Sequence, residues 1–177
     1  MPLPKLSDKQ IDQLAGFVAS YIGEQRAAFG KKAEPILPEH IRQLEAFFPA
    51  DVLSAVKVVQ GRAPEPGFYA LVRMMGIRNL PAFSDMAGIT FQDVVVHVEE
   101  LSLQLLFHEL VHAVQYKHLG LDGFASRYVR GFLTGGSYEE IPLERQAYEL
   151  EGRFAANPSA AFSVEDDVRQ RIQQNQL

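Results

Sequence analysis

Residues 101–119 read as an apolar helix, and into it the chain sets the run His108-Glu109-Leu110-Val111-His112. Leu103, Leu106, Phe107, Leu110, Val111, Val114 and Leu119 make the segment apolar around much of its circumference, so the helix belongs inside the protein. Residues four apart on a helix lie about 40° apart around the axis and about 6 Å apart along it, so His108 and His112 can point at one place. Two buried imidazoles with no partner are costly, and a shared metal ion is the usual resolution. Glu109 is rotated by about 100° from His108, at the edge of such a site, where it can take a proton rather than coordinate. With five histidines in the chain, this spacing arises by chance in roughly one chain in a hundred.

Composition narrows what can hold the ion. The chain has 177 residues, 47% of them hydrophobic, enough for one domain, 1–177, with a substantial core. Cysteine is absent, so disulfides, thiolate ligands and a cysteine nucleophile are excluded together, and any zinc must be held by histidine and carboxylate. The net charge is −5, with no basic cluster denser than Lys31-Lys32, so nucleic acid is not an expected partner. The N-terminus lacks an apolar signal segment, and no stretch approaches the ~20 apolar residues of a membrane span. A soluble, cytoplasmic protein with no membrane partner is the expectation.

Along the chain, Ser7 caps a first helix carrying Ile11, Leu14, Ala15, Val18 and Ile22, which ends near Gly30. Pro38 opens a second, with Ile41, Leu44 and Phe47-Phe48 as its apolar face and Pro49 near its end. These N-terminal helices, 7–50, read as scaffold for a core at about 51–156. Residues 52–60 read as a strand, 68–75 as a short helix or irregular segment, and 89–98 as a second strand centred on Val94-Val95-Val96. After the histidine helix, Gly120, Asp122 and Gly123 mark a turn, and a further helix over 124–133 stops at Gly135-Gly136. Pro142 starts the next helical stretch, to about Ala155. Residues 157–177 hold few large apolar side chains and read as a peripheral helix and tail. Two strands make a small sheet, so the expected class is α+β and mostly helical.

A catalytic zinc usually has three protein ligands and an open fourth position. His118 stands six residues after His112, the offset of the third histidine in the metzincin motif HExxHxxGxxH. Where that motif has the glycine that lets the helix stop, this chain has Gln115. An unbroken helix puts His118 about 9 Å beyond His112 and about 120° around the axis, out of reach. All four methionines also precede the motif, so no downstream Met-turn exists.

Glu144 opens the helix after Pro142, about thirty residues beyond His112, in the run Glu144-Arg145-Gln146-Ala147-Tyr148. An HExxH followed by a helix bearing ExxA resembles the gluzincin branch of zinc metallopeptidases, including the short single-domain minigluzincins. The resemblance spans residues 103–148. It implies a zincin-like domain in which His108, His112 and Glu144 hold Zn2+ and Glu109 is the general base. Glu139, Glu140 and Glu151 remain alternative ligands. Several gluzincins place an Asp that supports a metal-bound imidazole where this chain has Tyr148; a tyrosine there can hydrogen-bond an imidazole or a metal-bound oxygen, which makes Tyr148 the second catalytic candidate. Tyr138, Tyr128 and Arg145 are further candidates for stabilising an oxyanion.

The expected reaction is hydrolysis of peptide bonds in a peptide or protein substrate by a metal-activated water. If so, 89–98 is placed to bind substrate backbone as an edge strand, unless it is an internal strand of the sheet. The alternative is a metal-binding sensor or interaction module on the same scaffold, without turnover; the presence of Glu109 favours catalysis.

Overall fold

The computed structural model describes residues 6–82 and 85–177, and the fold it shows is mixed α+β. Residues 1–5, read above for a signal segment, lie outside the described part. Among the described residues no helix is long and apolar enough to cross a membrane.

The three consecutive valines are where the layers meet. They lie in β4 (Val94–His97), flanked by β2 (Lys57–Gln60) on one side and β3 (Gly88–Phe91) on the other; β1 (Glu34–Pro35) completes a four-stranded sheet of order β1-β2-β4-β3 among the described residues. β2 and β4 are parallel, in register Val58 to Val95, whereas β3 runs antiparallel to β4 with Thr90 opposite Val95. Successive side chains of a strand point to opposite faces. Val95 accordingly packs with Phe107, Leu110 and Phe154, while Val94 and Val96 pack with Tyr21, Phe91 and Ile22 in a second apolar cluster. With both faces covered, a continuous apolar run replaces alternation.

Helix starts follow ordinary capping chemistry, as read for Ser7 and Pro142 and found also at Ser102. α1 (Asp8–Gly30) begins at a reciprocal Ser7–Gln10 capping box, and α5 (Leu103–Gly135) begins at Ser102, whose hydroxyl accepts from Leu105 N at 3.1 Å. α6 (Pro142–Ala156) has proline in its first turn.

Several elements differ from expectation. The strand expected over 52–60 is strand only from Lys57; its first part belongs to α3 (Ala50–Ala55), which buries Val52 and Leu53 in the core, so packing overrides the β-branched composition. The second helix is short, α2 (Pro38–Leu44), and Phe47 and Phe48 reach the core from beyond its end. The single strand expected over 89–98 is a hairpin turning at Gln92-Asp93, with Gln92 at φ 62°, a pair that lacks the Asn-Gly or Asp-Gly signature of such turns. Arg26 of α1 clamps Asp93 from outside. α4 (Tyr69–Met74) fills most of 68–75. The tail is not peripheral throughout: α7 (Val164–Gln173) buries Val164 and Val168 completely beside α5.

The expected turn near Gly120 is a one-residue break. α5 is interrupted at Gly120, with φ 68° and ψ 173°, and then resumes to Gly135. That backbone region is essentially closed to residues with a Cβ. The break re-aims the second half of α5, from which the chain turns into α6. Gly120→Ala is expected to cost about 1–3 kcal/mol of unfolding free energy, measured by urea denaturation; an unchanged midpoint would mean that the break is not strained.

Candidate metal centre

One turn apart on α5, His108 and His112 bring their Nε2 atoms to 3.2 Å from each other. Glu144, at the start of α6, places Oε2 3.3 Å from His112 Nε2 and 3.5 Å from His108 Nε2. All three residues are buried, and they form a group that could hold a metal ion. Ligands about 2.0–2.1 Å from a tetrahedral ion stand roughly 3.3 Å from one another, so the triangle has the right size. A second observation agrees with this fit. Glu144 Oε2 is, among the described residues, the buried side-chain polar atom without a hydrogen-bond partner. An orphaned buried carboxylate oxygen is costly, and a cation at this point satisfies it.

The rings are oriented from behind. His108 Nδ1 lies 2.9 Å from Glu151 Oε2, and the same carboxylate accepts from Gln104 Nε2 at 2.6 Å. His112 Nδ1 lies 2.8 Å from Gln115 Oε1. Both partners accept through oxygen, so both rings carry a proton on Nδ1 and turn Nε2 toward Glu144, where it holds a second proton in the metal-free state and offers its lone pair once a cation takes that proton's place. Glu151, an alternative ligand by sequence, therefore supports His108 instead. It stands seven residues after Glu144, which returns a helix to within about 20° of the same face; that spacing was legible. The part played by Gln115 was not, because nothing local marks a buried glutamine as an acceptor.

Glu109 is buried at the edge of the triangle and anchored by β3. Thr90 Oγ1 lies 2.6 Å from Glu109 Oε2 and 3.1 Å from its carbonyl oxygen, and its one hydroxyl proton serves the closer carboxylate. The other oxygen, Oε1, faces Gly88, where a Cβ would sit 2.7 Å away. Any larger residue at 88 would have to displace that carboxylate from its place beside Thr90. Burial raises the Glu109 pKa against the lowering effect of His108, His112 and Thr90.

The remaining candidates separate clearly. His118 pairs with Glu165 of α7 at 2.8 Å, away from the triangle, as helix geometry predicted. Tyr148 is half exposed, with its ring 4.6 Å from the His108 ring between centroids and tilted by 58°. It covers one face of that imidazole, while Glu151 holds the Nδ1 side. Glu139 and Glu140 are exposed. Arg145 is exposed too and lines neither of the cavities described below. Tyr138 lines both, and burial followed by the Glu144 charge raises the pKa of its hydroxyl. Tyr128 lines the inner cavity.

No protein-family model, curated protein or solved structure matches this chain. The site has to be read from its own geometry.

Two cavities meet at it. An open cleft of about 580 Å³ runs past His108, Glu109, Leu105, Gly88, Tyr138 and Tyr148. A more enclosed, apolar cavity of about 110 Å³ reaches Glu109, His112 and Glu144 from the other side. Its walls include Leu14, Tyr21 and Ile22 of α1, so the first helix shapes the site as well as the scaffold.

Without a cation the group holds itself by charge. Burial pushes the His108 imidazole down, but Glu144, Glu151 and Glu109 outweigh it and raise the pKa to about 10. Burial pushes Glu144 up, and the two imidazoles outweigh it, to about 2. A raised histidine stabilises the fold below its ordinary value of 6.5, and that contribution is lost as pH rises through about 10. A lowered carboxylate stabilises above its ordinary 4.5, and the contribution is lost as pH falls through about 2. The metal-free protein gains fully from both between these ordinary values, whereas a metal must displace the imidazole proton. Zinc affinity should therefore rise with pH between 6 and 8, by about tenfold per unit for each proton displaced, in competition titrations with a chromophoric chelator.

Metal content should also follow the geometry. One zinc per chain is expected in the wild type and in His118→Ala by mass spectrometry, with strong loss in His108→Ala and Glu144→Ala. Equal metal content in all four would place the ion elsewhere.

Proposed function

We propose that this chain is a zinc-dependent metallopeptidase of the gluzincin kind, hydrolysing peptide bonds in a peptide or protein substrate. The observation that carries the reading is the orphaned Glu144 Oε2, which meets both imidazole Nε2 atoms beside a separate buried carboxylate. A binding site needs only the three ligands. Glu109 is a fourth acidic or basic group, held at the edge of the triangle and not part of it.

Zinc, when bound, lowers the pKa of a water molecule and polarises a carbonyl oxygen. Glu109 supplies the base. Its Oε2 is occupied by Thr90, so Oε1, on the Gly88 side, is the atom that receives the proton and later returns it to the leaving amine. A pKa raised by burial suits a group that must both accept and release a proton near neutrality. Tyr138 and Tyr148 line the open cleft, and each is a candidate donor to a developing oxyanion. His108 and His112 keep their positions because Glu151 and Gln115 hold their Nδ1 protons.

β3 supports a peptide as substrate. Among the described residues no strand other than β4 pairs with it, so its other edge carries no strand; it runs beside Glu109 through Gly88 and Thr90, and on that edge the Thr90 carbonyl accepts from Tyr116 Oη at 3.4 Å. An extended peptide adding to this edge would be held by backbone hydrogen bonds, which read any sequence.

Glu109→Gln is the deciding variant. Loss of the base is expected to lower hydrolysis of a fluorogenic peptide library by about 10²–10⁴-fold, with zinc still bound at one per chain. Undiminished turnover would remove Glu109 from the reaction, and a zinc-loaded wild type that cleaves no peptide in the library would favour the metal-binding module without turnover.

A further inference from the structure

Beyond Gln115, the hydrogen bonds that start at His112 continue in one direction. Gln115 Nε2 donates to Gln146 Oε1 at 3.0 Å and to the Leu143 carbonyl at 2.9 Å. Gln146 Nε2 donates in turn to Asp167 Oδ1 on α7 at 2.7 Å. Gln115 and Gln146 are completely buried. Asp167 is ion-paired with Arg171, which also holds Glu149.

An amide can face either way, but here its direction is decided twice. The Leu143 carbonyl has only lone pairs, so Gln115 must present its NH2 there and its oxygen to His112. The Asp167 carboxylate likewise only accepts, so Gln146 must present its NH2 to α7 and its oxygen to Gln115. Reversing either amide would set oxygen against oxygen in a buried place, at the cost of unpaired polar groups. The chain from Asp167 to His112 therefore has one polarity, and its end point is a proton on Nδ1, which leaves Nε2 as the nitrogen that faces Glu144. Gln146 is two residues from Glu144 and Gln115 three from His112, so the same contacts fix the separation of those two ligands.

We infer that Gln115, Gln146 and Asp167 are positioning residues for the metal centre. Through them α7, a helix that supplies no ligand, sets the affinity of the site. The inference rests on the reading of His108, His112 and Glu144 as metal ligands and adds a second set of residues to it.

Two readouts separate the relay from that reading. In the metal-free protein, NMR should show the side-chain amide protons of Gln115 and Gln146 exchanging slowly with solvent, and Asp167→Ala should make those of Gln146 exchange fast. Zinc titration against a chromophoric chelator should then show Gln115→Leu weakened by about 10–100-fold and Asp167→Ala by a smaller factor, about three- to tenfold. Asp167→Asn keeps an oxygen acceptor and should stay within about twofold of the wild type. Asp167 is only partly buried, so its variants keep the comparison valid even if Gln115→Leu fails to fold. Freely exchanging amides in the wild type would overturn the relay whatever the metal does. Wild-type zinc affinity in both Asp167→Ala and Gln115→Leu would reduce the two glutamines to packing. Protected amides in a wild type that takes up no zinc would overturn the ligand reading and the role of the relay with it.

Discussion

The Glu144 carboxylate, buried between two imidazoles with one oxygen unpartnered, is the constraint around which the rest of this structure is arranged. Charge in a protein interior is tolerable only when it is paired and hydrogen-bonded. Two partners can meet that demand here, a proton shared with the histidines or a cation in their place. The raised His108 and lowered Glu144 pKa values describe the first state, and the size of the triangle suits the second. Both require α5 and α6 to cross at one point, which the break at Gly120 and the proline start of α6 bring about.

Around that crossing, each polar group is held by another that contributes no ligand. Glu151 holds His108, Gln115 holds His112, and Thr90 holds Glu109. The three supports come from different elements: α6, α5 and β3. A ring or carboxylate whose far side is hydrogen-bonded cannot rotate away when its near side loses a partner, which keeps a site formed whether or not an ion is present. The small sheet has the same purpose at the other edge. Gly88 and Thr90 alternate onto the face of β3 that meets Glu109, so the hairpin both leaves space for the carboxylate and supplies its donor.

The two cavities divide the surroundings by polarity. The open cleft passes His108, Tyr138, Tyr148 and Glu151, whereas the inner cavity is walled by side chains such as Leu14, Tyr21, Phe91 and Phe124. A molecule spanning the site would meet polar groups on one side and an apolar recess on the other. α1 lies at the far end of the chain from α6, yet both line this recess.

What could be read from the chain alone was whatever depends on local spacing. The positions of His108 and His112 follow from the 3.6-residue turn, and the same arithmetic removed His118 and would have placed Glu151 on the face of Glu144. The cap at Ser7 and the proline start of α6 were legible because the chemistry of a helix end is a local matter. Tertiary structure alone decided which distant groups meet. It made the first part of 52–60 helical, split 89–98 into a hairpin through a turn pair with no glycine, and drew α7 into the core by two valines. It also chose Thr90, Gln115, Gln146 and Asp167 as the supports of the site. A glutamine or threonine has no spacing rule that announces its partner; buried polar groups are assigned by the need to satisfy one another, and that need exists only once the chain has brought them together.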